Sequence, residues 1–190
     1  MIKSSHLLLV VASLVFVICY PECSASAQSL ELQLERVEHI GENFLDCRIR
    51  VRKLNRTTHS LNGTATLLKD LDTSFEVSAS FAYSSLGNNQ FNEYPMKLPR
   101  KKVCRYMVEE YTEFQYIWAN KSNAPQVPKG ATEFCPFPKG EYWVKDLTPD
   151  ASFIPPVVPT GLWRMTIEVW KQDTVDVKIL LYCRVTKNLF

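Results

Sequence analysis

Apolar and polar residues alternate along several stretches of this chain, and this period of two constrains the fold more than any other feature of the sequence. Successive side chains of a β-strand point to opposite faces, so alternation predicts strands with one buried and one solvated face. Alternating or short apolar runs occupy residues 30–34, 47–52, 61–71, 75–83, 163–169 and 175–185. Turn-forming residues at 86–89 and 171–174 separate some of these runs, which favours an antiparallel β-sandwich or open barrel.

The segment 100–118 has the period of a helix instead. Its large apolar residues recur every three to four positions: Val103, Met107, Tyr111, Phe114 and Trp118. Pro125 and Pro128 end any helix well before Cys135. The sequence therefore predicts an all-β protein with one short helical segment.

The N-terminus has the three parts of a secretory signal peptide. Lys3 precedes an apolar run at 6–18, and Ala25-Ser26-Ala27 supplies a small-x-small cleavage pattern. The apolar run is shorter than the roughly 20 residues that span a bilayer, which disfavours an uncleaved anchor. We predict a signal peptide at 1–27, a single domain at 28–190, no transmembrane segment and an extracellular location.

The charge balance excludes one class of partner. The chain has 22 basic and 20 acidic side chains, a formal net charge of +2. Nucleic-acid binding needs a basic surface that neutralises phosphates, so we expect no nucleic-acid partner.

Four cysteines remain after the predicted signal peptide: Cys47, Cys104, Cys135 and Cys183. An even number in an oxidising compartment predicts two disulfides, and the sequence leaves all three pairings open. A zinc site is disfavoured because no two of these cysteines have C-x-x-C spacing.

Three N-glycosylation sequons start at Asn55, Asn62 and Asn120. Behind a signal peptide they predict a glycoprotein and mark exposed turns.

Catalytic motifs are missing from the sequence. After the signal peptide the histidines are His39 and His59, and neither has metal-ligand spacing. There is no G-x-S-x-G nucleophile motif and no phosphate-binding glycine loop. We therefore expect neither an enzyme nor a cofactor, and a secreted hydrolase is disfavoured.

One stretch resembles a known family. Cys135-Pro136-Phe137 is followed by Gly140-Glu141-Tyr142, prolines at 155–159 and Gly161-Leu162-Trp163-Arg164. This order resembles the ganglioside-activator-like (ML-type) secreted lipid-recognition proteins over 135–169, and more weakly over 104–118. The resemblance implies an immunoglobulin-like, lipid-binding β-sandwich that opens as a cup around a lipid. It also implies a Cys104–Cys135 disulfide, which would leave Cys47 and Cys183 as the second pair.

Candidate ligand-binding residues follow from strand and helix phase and from the apolar loop at 153–158. They are Phe75, Val77, Phe81, Met107, Tyr111, Phe114, Trp118, Phe137, Trp143, Phe153, Ile154, Trp163 and Met165. The loop could cover the opening of a lipid cavity or pack across the end of the barrel.

The expected function is binding of a lipid or long-chain hydrophobic molecule, which the protein carries or presents to a membrane receptor. Its general layout resembles insect chemosensory members of the family, which implies a role in pheromone perception. A basic cluster would rim the cavity: Lys97, Arg100, Lys101, Lys102 and Arg105. The lipid hypothesis predicts an apolar void of several hundred cubic ångströms, on the order of ordinary small-molecule pockets. The alternative is a protein-interaction module with a filled core.

Overall fold

Two β-sheets build the part of the chain that the computed structural model describes, residues 29–148, 150–155 and 157–188. The side chains of Ser29, Phe153 and Asn188 and the predicted signal peptide lie outside this description. The strands are β1 Ser29–Ile40, β2 Leu45–Cys47, β3 Arg50–Lys53, β4 His59–Leu67, β5 Phe75–Ser84, β6 Asn92–Lys102, β7 Gly140–Leu147, β8 Gly161–Lys171 and β9 Thr174–Asn188. The predicted all-β fold is confirmed.

The large sheet has the order β1-β9-β8-β5-β6. In the small sheet β4 is central, with β7 on one side and both β2 and β3 on the other. Apolar side chains of both sheets and of the helical segment form one main core: Phe44, Leu67, Phe75, Val77, Val103, Met107, Tyr111, Val127 and Val177. A second, smaller cluster of Val158, Trp163 and Val185, which we call the end cluster, packs against the loop before β8.

β2 and β3 behave as one interrupted edge strand. They pair with β4 in a single register, from Cys47 opposite Ala65 to Arg50 opposite Asn62. Between them the Arg48 N–H donates to the Thr64 carbonyl over 2.8 Å. Gly63 makes the close approach possible, because a Cβ there would lie 2.3 Å from the Arg48 carbonyl oxygen.

β6 was not predicted, because Pro95 and Pro99 interrupt any alternation of apolar and polar residues there. Each proline falls at a shift of the β5–β6 register. Pro95 lies between the pairs Phe81–Tyr94 and Ser80–Lys97, and Pro99 lies between the pairs Ala79–Leu98 and Val77–Lys101. β6 is an edge strand, and bulged edge positions tolerate proline because no ladder donor is needed there.

The predicted helical segment is confirmed, and we call residues 103–117 α1. It consists of α-helix Val103–Tyr106, π-helix Met107–Tyr111, α-helix Thr112–Phe114 and 3₁₀-helix Gln115–Ile117. The Thr112 hydroxyl lies 3.1 Å from the Val108 carbonyl and 3.3 Å from that of Glu109, so it donates to carbonyls near the π-turn. None of the helices in the described ranges has the length and apolarity that a membrane crossing requires.

One of the two expected disulfides forms. Cys104 in α1 is bonded to Cys135, with their Cα atoms 5.2 Å apart. The pairing of Cys47 with Cys183 is wrong, since both are free thiols. Cys47 lies two residues from Leu45, which packs against the main core, whereas Cys183 packs against the end cluster. The two cysteines therefore sit on different sheets and in different parts of the interior.

The sequons lie in two kinds of position. Asn55 and Asn120 are exposed in turns, as predicted. Asn62 is half-buried within β4, where its amide donates to Ser60 Oγ over 2.9 Å and its Oδ1 accepts from the Asp146 N–H over 3.0 Å. The expectation of an exposed turn was wrong for Asn62, because the sequon triplet carries no information about strand pairing.

Candidate functional site

An apolar cavity of about 200 Å³ lies between α1 and the inner face of the large sheet. Its lining residues are Leu71, Val77, Val103, Tyr106, Met107, Tyr111, Trp118, Phe137 and Val169. The void is smaller than the several hundred cubic ångströms that the lipid hypothesis predicted. Small-molecule pockets usually measure about 300–1,000 Å³, so this cavity suits one narrow apolar group.

Strand register and helix phase bring the lining together. Val77 of β5 and Val169 of β8 are direct cross-strand partners, so their side chains lie side by side on the inner face. Val103, Met107 and Tyr111 recur every four residues along α1 and are all buried. One wall of the cavity is therefore a sheet and the facing wall is a helix.

The segment 118–139 forms a third wall and is tied down at its C-terminal end. Leu71 and Phe137 exchange two backbone hydrogen bonds of 2.9 Å each, and Asp70 Oδ1 accepts from the Lys139 N–H over 2.7 Å. The Cys104–Cys135 disulfide joins this end of the segment to α1.

Gln115 anchors the middle of the same segment. Its Nε2 donates to the Val127 carbonyl over 2.7 Å, and its Oε1 accepts from the Val127 N–H over 2.8 Å. Val127 is only 1% exposed, so this amide pair satisfies a backbone that water cannot reach. The side chain thus replaces a missing strand partner and keeps the irregular segment packed against α1.

Two of the aromatic groups in the lining are hydrogen-bonded to one another. The Trp118 Nε1–H donates to the Tyr111 hydroxyl over 3.2 Å, and that hydroxyl donates to the Pro125 carbonyl over 2.8 Å. Burial raises the pKa of Tyr111, so its phenol stays neutral at physiological pH.

The basic cluster does not rim this cavity, contrary to the sequence-based expectation. Lys101 bonds Glu109 over 2.8 Å and also pairs with Glu110. The remaining ion pairs of the cluster are Arg100 with Glu76 and Asp173, Lys102 with Glu76, and Arg105 with Glu109. Hydrogen bonds from Lys101 and Arg105 lower the pKa of Glu109, as those from Lys102 and Arg100 lower that of Glu76. These charges are neutralised within the protein and bind β5, β6 and α1 together.

Lys97 lies on a different surface. It helps to line an open pocket of about 340 Å³ at the bulges of β6, together with Ser78, Ser80, Arg100 and Glu168 among others. Ser78 and Ser80 alternate with the inward-facing Val77 and Phe81, so this pocket opens on the outer face of the large sheet. It is separate from the apolar cavity.

The middle of the inner face remains incompletely covered. Five side chains point inward by strand phase but are half-buried: Phe81, Met165, Ile167, Ile179 and Leu181. Val77 and Val177, which belong to the main core, are buried. The five half-buried side chains keep apolar surface that no protein atom covers. Apolar surface therefore extends from the cavity along the large sheet toward the end cluster.

The structure divides the predicted ligand residues into three groups. Those that line the cavity are Val77, Met107, Tyr111, Trp118 and Phe137. Others lie elsewhere in the interior: Phe75 packs on Phe44 in the main core, Trp163 belongs to the end cluster, Phe81 and Ile154 pack against that cluster, and Met165 lies on the inner face of β8. Phe114 and Trp143 are 46% and 42% exposed and lie outside the cavity, and the Phe153 side chain is outside the described part.

Four lining residues were not among the predicted ligand-binding residues: Leu71, Val103, Tyr106 and Val169. Val169 continues the alternation of Met165 and Ile167, and Val103 begins the helical repeat, so both could have been found from phase alone. Leu71 enters through an isolated bridge to Phe137, for which the sequence offers no signal.

The fold and the cavity define an all-β protein with an apolar pocket between a helix and the inner face of a sheet. The family described as "Protein of unknown function (DUF1091)" matches residues 77–165. The comparison with curated proteins finds no match. The matched stretch runs from β5 into β8 and contains every lining residue except Leu71 and Val169.

Proposed function

We propose that the protein binds a lipid or another long-chain hydrophobic molecule between its two sheets and acts outside the cell as a carrier or presenter. The observation that carries this proposal is the apolar cavity beneath α1, with its continuation along the half-buried inner face of the large sheet. Apolar surface without protein contacts forfeits packing energy, and an apolar ligand that covers it would recover that energy. The resemblance to ML-type lipid-recognition proteins supports the same function.

The energetics favour an extended chain. Each methylene that leaves water contributes roughly 0.8 kcal/mol. The cavity is too small for a whole lipid, so the terminal part of one chain would fill it and the remainder would follow Ile167 and Met165 of β8. Presentation to a membrane receptor and a role in pheromone perception belong to this proposal through the family resemblance alone.

The decisive test fills part of the cavity with a larger side chain introduced by mutation. Val169→Phe places a larger side chain on a half-buried lining position. Val175→Phe makes the same change on β9 at a valine that is 37% exposed and does not line the cavity. We expect Val169→Phe to weaken binding of the fluorescent probe N-phenyl-1-naphthylamine at least about tenfold, since it removes the space for several methylene-sized groups. Val175→Phe should bind the probe as the wild type does.

Organic extraction of purified protein followed by mass spectrometry provides an independent measurement. A hydrophobic molecule recovered from wild type and depleted in Val169→Phe would support the proposal. Equal probe binding by both variants, with both folded by circular dichroism, would contradict it.

A protein-interaction module is the second candidate, and the exposed aromatic side chains favour it. Phe114 is 46% and Tyr116 is 60% exposed near the C-terminal end of α1. Exposed aromatic residues are enriched at protein interfaces. Under this alternative the Val169→Phe variant would have no effect on probe or partner binding.

A further inference from the structure

We propose that the ligand is a neutral, single-chain molecule with a hydrogen-bonding oxygen, such as an alcohol, ketone or ester, whose oxygen contacts the Tyr106 hydroxyl. This inference rests on the proposed function and names the class of molecule that the cavity accepts. Three side chains in the lining carry strong hydrogen-bonding groups: Tyr106, Tyr111 and Trp118.

Tyr106 is the residue of these three whose hydroxyl is available to hydrogen-bond a ligand. The Tyr111 hydroxyl and the Trp118 indole N–H are engaged with each other and with the Pro125 carbonyl. The Tyr106 hydroxyl forms no hydrogen bond with any residue that the structure describes, although its ring packs edge-on to Tyr111 with centroids 6.3 Å apart. Its oxygen is not among the buried polar atoms that lack a partner in the described part of the chain, so a ligand oxygen would bond it in place of water.

The surroundings of Tyr106 select against charge. Among the described residues, none of those lining the cavity carries a charged side chain. Lys101, Lys102 and Arg105 on the neighbouring stretch of chain are already bonded to Glu76, Glu109 or Glu110. A carboxylate in this cavity would lose its hydration without gaining a cation, which is strongly unfavourable.

The protonation state of Tyr106 fits the same class of ligand. Burial, with smaller contributions from Tyr111 and Glu110, raises the pKa of Tyr106 to about 12. The phenol therefore remains protonated at physiological pH and can donate to an alcohol or carbonyl oxygen, and it can also accept from an alcohol. The volume of about 200 Å³ limits the occupant to one chain.

The test compares ligands of one chain length by displacement of N-phenyl-1-naphthylamine at pH 7.4. The ligands are 1-octanol, 2-octanone, octanoate, and 1-chlorooctane, which has the chain but no oxygen. We expect wild type to bind 1-octanol and 2-octanone at least about tenfold more tightly than octanoate. Tyr106→Phe should reduce the preference for 1-octanol over 1-chlorooctane by roughly fivefold to tenfold. Tyr116→Phe, at a tyrosine that is 60% exposed on the same helical segment, should leave the preference unchanged.

The outcomes separate this inference from the proposed function. If octanoate binds as tightly as 1-octanol, or if folded Tyr106→Phe keeps the wild-type preference, the inference is overturned while the function stands. If Val169→Phe binds the probe as wild type does, the proposed function itself fails. Should Tyr106→Phe not fold, the contrast between 1-octanol and octanoate in wild type decides the inference alone.

Discussion

Cys47 and Cys183 are interior thiols whose chemistry is set by their burial. Burial raises the pKa of Cys183 to about 12, with a smaller contribution from Glu35, and it also raises the pKa of Cys47. The thiolate is the reactive form of cysteine, so both side chains stay protonated and unreactive at neutral pH. The even cysteine count predicted two disulfides and the family resemblance left Cys47 and Cys183 as the second pair, but neither argument carries information about where the two side chains lie.

Thiol labelling tests this arrangement in the chain that begins at Gln28. In the folded protein at pH 7.5 we expect almost no reaction of Ellman's reagent within minutes. In denaturant without reductant, two thiols per chain should react, because the Cys104–Cys135 disulfide persists. If no thiol reacted in denaturant, Cys47 and Cys183 would not be free thiols, which would contradict the structure.

Residue type alone could not assign every aromatic side chain to a face. Trp143 was a ligand candidate from strand phase, yet the neighbouring Tyr142 packs against the main core and Trp143 points outward. The alternation in β7 leaves both assignments open, because aromatic residues occupy both faces of that strand. Tyr106 shows the reverse case, since a residue between the repeating apolar positions of α1 lines the cavity.

At the scale of the element, the contact between Gly63 and Arg48 fixes the interrupted edge of the small sheet. Gly63 has φ +137°, and any Cβ would lie 2.3 Å from the Arg48 carbonyl oxygen. Gly130 also has positive φ, +84°, but a Cβ there meets nothing within 4 Å. Substitutions at the two glycines therefore distinguish the cost of steric collision from the cost of backbone strain.

We expect Gly63→Ala to lower the free energy of unfolding by roughly 3 kcal/mol or more, because the strand pair must move apart. Gly130→Ala should cost about 1–2 kcal/mol, from backbone strain alone. Urea denaturation monitored by tryptophan fluorescence measures both values. Equal losses in the two variants would show that β2 and β3 do not approach β4 as described.

Ion pairs connect the large sheet to α1 and make the stability of the fold depend on pH. The pKa values of Glu76 and Glu109 are lowered by their hydrogen bonds to lysine and arginine side chains. The unfolded chain therefore binds protons more readily at these positions than the folded one does. The stabilisation that these two carboxylates contribute to the fold is complete above the unfolded pKa of about 4.3. It is lost as the pH falls through their lower pKa values in the folded state.

The corresponding prediction concerns the acid side of the stability curve. The melting temperature of wild type should fall between pH 6 and pH 3. The melting temperature of a Glu76→Gln, Glu109→Gln double variant should fall by less over the same range. Glu133→Gln, at an exposed carboxylate without an ion pair among the described residues, should follow wild type. Parallel curves for all three proteins would rule out a role for these ion pairs in acid stability.

Much of the architecture followed from the sequence, and the site followed only in part. Alternation identified the centres of β5, β8 and β9, and the helical period identified α1, because those patterns report burial directly. The free spaces that a site requires depend on how far the sheets and α1 stand apart. No local pattern encodes that distance, so the size of the cavity and the neutralisation of the basic cluster emerged only from the structure.

The two prolines of β6 have a consequence for how this molecule meets others of its kind. An unpaired strand margin with free amide donors can recruit an identical chain and start a growing aggregate. Pro95 and Pro99 have no amide donors. The register shifts beside them bend the edge strand away from the regular shape that a second chain would need in order to pair with it. This flank of the large sheet is thereby protected against strand-by-strand self-association.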